Sequence, residues 1–246
     1  MTEDPFGDSR LVGLYDQDNP GGADHDFYRR LADENGAETI VDLGCGTGLL
    51  TVTLAGQGRA VIGVDPSRTM LDFARQRDHA GSVTWADGDS SALPTALAGR
   101  PADLVVMTGN TAQHILGAAW PRTLHDIHDA LRPGGLVAFE SRNPDNRAWE
   151  SWSAGDRSTR DTPHGRLTEW LEVTSVAPDE VTFAAHNLFE DTGEDAVYPT
   201  TLAFRTAAEL TAQLSEAGLT VRSIHGGWSD EPVTPASRVL VVTAER

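Results

Sequence analysis

The sequence has no lysine. All 19 of its cationic side chains are arginines, set against 37 aspartates and glutamates, for a formal charge of −18 over 246 residues. The bias to arginine has the look of GC-rich coding rather than of a functional choice. A surface this acidic repels phosphate backbones and anionic bilayers, which argues against nucleic-acid substrates and membrane partners. Cysteine is nearly absent as well. With Cys45 alone, an intrachain disulfide and a cysteine-rich zinc site are both excluded. No apolar run approaches the ~20 residues that span a bilayer. The stretch Met1 to Asp8 is polar and acidic, unlike the basic-then-apolar pattern of an export signal. These absences predict a soluble, cytoplasmic protein that handles neither nucleic acid nor membrane; they do not choose between monomer and homodimer. At 39% hydrophobic and 23% charged residues, the chain has enough apolar material for a core.

Short aliphatic runs alternate with helical patterns from Thr39 onward. Strands are predicted at Thr39 to Leu43, Ala60 to Val64, Ser82 to Ala86, Asp103 to Met107 and Leu136 to Ser141. A helix opens over Leu49 to Ala55, and another starts at Ser67 with Met70, Phe73, Ala74 and Arg77 along one face. A third carries Trp120, Leu124, Ile127 and Leu131 as one apolar stripe, stopped by Pro133-Gly134-Gly135. That rhythm implies parallel βαβ units and a doubly wound sheet. It breaks between Pro144 and Phe204, where Leu167 to Val176, Val181 to Phe189 and Thr200 to Phe204 look like an antiparallel meander. Thr206 and Glu209 form a capping box that restarts a helix, and Leu219 to Ile224 and Arg238 to Thr243 supply two last strands. The expected organisation is an N-terminal helical flap over 1–35, an α/β domain over 36–143 and 205–246, and an inserted β cap over 144–204.

The sharpest local feature is Asp42-Leu43-Gly44-Cys45-Gly46-Thr47-Gly48, between the first strand and first helix. Glycines there permit positive φ and the close approach of a ligand, and the helix behind directs its amides at that ligand. Alone, such a turn is shared by many nucleotide-binding folds. Asp65 closes the second strand, where a carboxylate can accept both hydroxyls of a ribose, with Pro66 beside it. Asp87, Asp89 and Ser90 follow the third strand, where an acidic side chain can accept from an adenine amino group. All lie at the carboxyl ends of neighbouring strands, the ligand-binding edge of open α/β sheets.

Together these segments resemble a class I S-adenosylmethionine-dependent methyltransferase of the small-molecule type. Asp42-x-Gly44-Cys45-Gly46-Thr47-Gly48 is similar to that family's first motif. Asp65 falls at its ribose-binding acid, and Gly88-Asp89-Ser90 at its adenine-binding position. Asp103-Leu104-Val105-Val106 and Leu131-Arg132-Pro133-Gly134-Gly135 match its motifs at and before the next two strands. The resemblance implies a Rossmann-like seven-stranded sheet whose last strand is antiparallel, S-adenosylmethionine as cofactor, and donor contacts from Asp42, Gly44, Cys45, Gly46, Thr47, Gly48, Asp65, Pro66, Asp89, Ser90, Thr108 and Tyr15. A nicotinamide dehydrogenase fits less well, because its GxGxxG pattern would need glycine where Leu49 stands.

Methyl transfer from a sulfonium requires the nucleophile, carbon and sulfur in line, and a base only if a proton must leave. The resemblance therefore implies no fixed triad. His114, after the fourth strand, is a candidate general base because imidazole titrates near ~6.5. An alternative is a helix-start histidine touching the adenosine edge. Asn143 or Arg142, after the fifth strand, can orient a polar acceptor or belong to a turn before Pro144. Tyr15, in a segment that resembles the family's flap, can face the sulfonium with its ring. Trp149, Trp152 and Trp170 read first as cap core, with an aromatic-lined acceptor pocket as the alternative. His125 and His128 share a helix face without a converging carboxylate, so no metal is expected; Asp145 and Asn146 are what a metal-dependent, catechol-type member of the family would use as the minor alternative. The expected activity is methylation of an O, N or C atom of a small molecule. A protein methyltransferase and a non-methylating, regulatory binder of the same cofactor are the alternatives.

Overall fold

A computed structural model describes residues 6–56 and 58–246; residues 1–5 of the acidic stretch weighed against export lie outside the described residues. The chain enters through α1 (Ser9–Val12), α2 (Tyr15–Asp18) and α3 (Ala23–Glu34). There follow β1 (Thr39–Leu43), α4 (Thr51–Leu54), β2 (Ala60–Asp65), α5 (Arg68–Ala74), β3 (Val83–Asp87), α6 (Leu93–Leu97), β4 (Ala102–Met107), α7 (Thr111–His114), α8 (Ala119–Ala130) and β5 (Leu131–Arg142). The remainder is β6 (Ser158–Thr162), β7 (Gly165–Val176), β8 (Glu180–Phe189), β9 (Glu194–Ala203), α9 (Ala207–Glu216), β10 (Thr220–His225) and β11 (Val239–Glu245).

Seven strands form one sheet in the order β10-β11-β5-β4-β1-β2-β3. β1 to β5 pair in parallel, and β11 runs antiparallel to β5 and β10. This is the predicted doubly wound sheet with its antiparallel last strand. The strand order reverses beside β1, which opens a crevice above the carboxyl ends of β1 and β4.

Both faces of the sheet are covered, so its central strands are continuous apolar runs. Val41, Ile62, Val105, Val137 and Val242 face α6, α8 and α9 through Leu93, Trp120, Leu124, Ile127, Leu210 and Leu214. Their sequence neighbours Ile40, Val61, Leu104, Val106, Ala138 and Val241 pack on Phe27, Tyr28 and Ala32 of α3 and on Leu50 and Leu54. Each such fully buried side chain contributes on the order of 1.5–3 kcal/mol. Ser67 caps α5 by accepting from the Met70 amide, and the Thr206/Glu209 capping box is complete.

Boundaries moved where chemistry overrode pattern. Helix α5 ends at Ala74, and Phe73 is exposed while Met70, Leu71 and Ala74 are buried. Leu131 leaves α8 and begins β5, which runs straight through Pro133-Gly134-Gly135.

The segment between the two halves builds a separate antiparallel sheet, β6-β7-β8-β9. Strand β6 is polar throughout and escaped the hydrophobic pattern because it is an edge strand facing water. Strand β9 begins at Glu194, six residues ahead of the predicted start. It is the other edge, where Pro199 is tolerated because no strand needs its missing N–H. Inner-face Val181, Phe183, Leu202 and Phe204 pack on Trp149 and Trp152, as the core reading of those tryptophans expects. Trp170 is on the outer face, stacked on His186 at 4.4 Å with Arg157 on its other side.

Candidate functional site

The glycine turn leaves β1 and is pinned to β2. The amides of Gly44 and Cys45 donate to the Val64 carbonyl, and the Gly46 amide donates to Asp65 Oδ2 at 2.8 Å. Gly44 adopts φ +77°, and a Cβ there would stand 2.3 Å from Thr111 Cγ2. At Gly46, φ is +52° and the nearest atom to such a Cβ is Met70 Sδ at 4.0 Å, so a side chain would fill the open crevice rather than strike the fold. That is the signature of backbone laid bare for a ligand.

Two adjoining cavities, with Tyr15, Gly44, Gly46, Gly109 and Thr111 common to both walls, run along the carboxyl ends of the strands. The larger, about 320 Å³, is lined by Gly44 to Thr47, Thr108 to Thr111, Glu140 and Arg142 from the sheet, and by Tyr15, Asp16, Asp18, Asp24 and His25 from the N-terminal segment. The smaller, about 110 Å³, reaches Asp65, Pro66, Met70 and His114. A third, about 370 Å³, lies beneath the cap between α1, α2 and the inner face of β7 to β9. Tyr15 lines all three and so forms a wall common to them. Its hydroxyl is 3.8 Å from where a Cβ on Gly109 would be. Burial, then the charges of Asp65, Asp16 and Glu140, raise its phenol above the usual value, which keeps it neutral.

The candidates named from sequence divide into two groups. Gly44, Cys45, Gly46, Thr47, Asp65, Pro66, Thr108, Tyr15 and His114 line the adjoining cavities. Asp42, Gly48, Asp89, Ser90 and Asn143 do not. Asp42 is buried behind the turn, where Oδ2 accepts from Thr51 Oγ1 at 2.7 Å and Oδ1 has no partner among the described residues. Burial, opposed by Thr51, raises its carboxyl to about 7. Gly48 faces the Trp85 ring, which would stand 2.6 Å from a Cβ placed on that glycine. Ser90 Oγ donates to Asp126 Oδ2 at 2.6 Å, into α8 and away from the crevice. Asp89 caps the turn at Ser91 and pairs with Arg122, which hold its carboxyl at about 2. Asn143 donates to the carbonyls of Thr234 and Ser237 at 3.0 Å each and accepts from the Asp145 amide. Its amide is thus spent on fastening the loop before β11, so acceptor orientation by Asn143 is corrected to an anchoring contact. His114 sits against Phe6. Burial, then Arg142, lowers its imidazole to about 4, which leaves it neutral and a poor proton holder near pH 7.

Three contacts at the site escaped sequence reading. Thr47 donates to Asp16 at 2.6 Å, and Arg77 donates to both Asp16 and the Thr47 carbonyl, tying α2 to the glycine turn. The signal was an arginine standing in a predicted apolar stripe. Tyr28 and the Asn110 amide both donate to the buried Glu140, linking α3, β5 and the turn after β4. Desolvation raises Glu140 to about 7 against those two bonds. Gln113, fully buried, donates to the Ala203 carbonyl at 2.8 Å and accepts from Arg142 at 2.9 Å. Among the described residues no group of three or more His, Cys, Asp and Glu side chains is placed to hold a metal ion. No described helix is long and apolar enough to cross a membrane.

Comparison with known proteins agrees with this geometry. The family model described as "Methyltransferase domain" matches residues 40–135. The cypemycin N-terminal methyltransferase of a Streptomyces species is 30% identical over 85% of this chain and 83% of its own. Among solved structures, an S-adenosylmethionine-dependent methyltransferase from Clostridium acetobutylicum superposes with a TM-score of 0.77 at 17% identity, covering 96% of this chain and 97% of the other. A sugar N-methyltransferase from a Streptoalloteichus species gives 0.75 at 19% identity, covering 100% and 96%. The chain belongs to the S-adenosylmethionine-dependent methyltransferase family. It is an enzyme, and S-adenosylmethionine is its methyl donor.

Proposed function

We propose that this methyltransferase transfers its methyl group to a small molecule held beneath the β cap, and that the atom methylated is an amine nitrogen. One observation carries the reading: the donor crevice and the cap cavity lie side by side with Tyr15 in the wall of each. The names of two similar proteins, an N-terminal and a sugar N-methyltransferase, support nitrogen. When bound, the donor supplies an already activated methyl group, so the protein's work is to bind, orient and exclude water.

In this reading Gly44 to Thr47 and Thr108 receive the methionine end. Asp65, held by the amides of Gly46 and Ser67 at 2.8 Å each, accepts from the ribose hydroxyls. Pro66 and Met70 border the nucleoside. Tyr15, kept protonated, offers its ring and hydroxyl in the shared wall, where a ring face attracts a sulfonium cation. His114 is proposed as a neutral contact between nucleoside and acceptor rather than as a base. A neutral amine needs no base for attack, because its proton departs after the new bond has formed.

In this reading α1 and α2 serve as the flap and 144–204 as the lid of a core formed by 36–143 and 205–246, to which α3 adds Phe27, Tyr28 and Ala32. The −18 charge and single cysteine support a cytoplasmic enzyme that avoids nucleic acid. Incubation of a cell extract with methyl-labelled donor tests the proposal. Enzyme-dependent label in the small-molecule fraction supports it, whereas label confined to polymer makes the acceptor a protein.

A further inference from the structure

The cavity beneath the cap is walled largely by apolar side chains, and its charged groups are of one sign. No arginine lines it, and the chain has no lysine. His114 in its wall is neutral near pH 7, its imidazole lowered to about 4. Two carboxylates do line it, Asp18 of α2 and Glu169 of β7. Arg160 of β6, which is not part of the wall, pairs with both. It serves them unequally. Nη2 donates to Asp18 Oδ2 at 2.7 Å and reaches Glu169 Oε1 only at 3.4 Å. One guanidinium against two carboxylates leaves a negative charge over, and this geometry leaves it chiefly on Glu169. Burial raises the Glu169 carboxyl above its ordinary value, with Arg160 opposing and Asp18 adding to the effect, as expected of a carboxylate short of positive charge.

A second observation lies directly across the sheet. Glu169 is paired in register with Asn187 of β8, so the two side chains share a face, with Cβ atoms roughly 4.5–5.5 Å apart. Asn187 is only 9% exposed and lines the same cavity. Its Nδ2 donates to the carbonyls of Ala196 at 3.1 Å and Ala185 at 3.4 Å, which fixes the amide and leaves Oδ1 as the remaining group. Among the described residues nothing donates to that oxygen. Two neighbouring hydrogen-bond acceptors, one of them charged, thus stand in a wall that holds no cation. Such groups, withdrawn from water, are costly unless a donor meets them. An ammonium, with several N–H donors and a positive charge, meets both. A carboxylate or phosphate in the same place would face like charge.

We propose that Glu169 and Asn187 form the recognition site for a positively charged amine of the methyl acceptor, so that the substrate class is an apolar-bodied cationic amine and acidic acceptors are excluded. The assignment rests on the small-molecule reading above. It concerns binding, and methyl transfer still requires the attacking nitrogen in its neutral form.

The test is a calorimetric titration of the full chain loaded with S-adenosylhomocysteine. The probes are 2-phenylethylamine, 2-phenylethanol and phenylacetate, which are similar in shape and differ in charge. Wild type is expected to bind the amine roughly tenfold or more tighter than the alcohol, and phenylacetate more weakly than either. Glu169→Gln should bring the amine to within about twofold of the alcohol and leave the alcohol unchanged. Asn187→Leu should weaken the amine by a smaller factor, because it removes a neutral acceptor and keeps the charge. Phenylacetate bound as well as the amine, no measurable binding of the amine, or an amine preference that survives Glu169→Gln overturns the proposal. Equal weakening of all three probes by Glu169→Gln also overturns it, since that is the effect of a loosened cap. If Glu169→Gln fails to fold, the order of the probes on wild type and on Asn187→Leu decides. Label confined to polymer in the extract experiment would refute the small-molecule acceptor, whereas the order of these probes judges the cap site by itself.

Discussion

The donor side and the acceptor side of this molecule are built by different means. Strands, glycine turn and flanking helices form the donor floor, which is secured by backbone hydrogen bonds and apolar burial on both sheet faces. The roof is the N-terminal segment and the cap, fastened chiefly by charge. Arg10 pairs with Glu194 of β9, Arg160 with Asp18 of α2, and Arg77 with Asp16. The apolar contact there is small, with Leu14, Leu167 and Phe189 as its buried members. Burial of the kind found in the floor holds geometry tightly. Partly exposed ion pairs each contribute about 0–1 kcal/mol and weaken with salt. A rigid floor beneath a loosely fastened roof suits an enzyme that must hold one reactive cofactor and admit and release an acceptor.

The comparison breaks most readily at Gly44. Gly44→Ala places a Cβ against Thr111, whose hydroxyl is committed to the Thr108 carbonyl at 2.7 Å, and does so at φ +77°. A stability loss of about 2–4 kcal/mol is expected in chemical denaturation, together with loss of cofactor binding. Asp65→Ala is next. It removes a charged acceptor and frees the Gly46 and Ser67 amides, so affinity for S-adenosylhomocysteine should fall by more than ~1 kcal/mol in calorimetry. An unchanged affinity would remove Asp65 from the ribose site.

The floor also carries a pH signature. Asp42 and Glu140 rise from ordinary values of 3.8 and 4.5 to about 7 on folding. Folded protein therefore binds more protons than unfolded protein between about pH 4 and 7, and these two groups make stability decline as pH rises across that window. Asp42→Asn should flatten the decline in melting temperatures recorded across it. The smallest effect belongs to the roof. Arg160→Gln should cost no more than ~1 kcal/mol of stability, yet raise the acceptor KM by an amount that shrinks with added salt. A loss of several kcal/mol would mean that the roof, too, is a core.

How much the sequence revealed follows the same division. β1 was placed at Thr39–Leu43 without error, because a strand buried on both faces is an uninterrupted apolar run between turn residues. Gly44, Gly46, Asp65 and Pro66 were legible because backbone conformation and strand ends limit which residues can stand there. The side chains of Ser90 and Asn143 turn to Asp126 and to the Thr234 and Ser237 carbonyls, because motif spacing fixes where a residue lies but not where its side chain points. β6 was missed because a solvated edge strand carries no period. The contacts of Arg77, Glu140 and Gln113 join elements far apart in the chain, so no local pattern announces them.

The most direct measurement is a calorimetric titration of the full chain with S-adenosylhomocysteine, with NADH as the comparator. Micromolar binding of S-adenosylhomocysteine alone is the expected result. Binding of NADH alone, or of neither, would contradict a donor site built on Gly44 to Thr47 and Asp65.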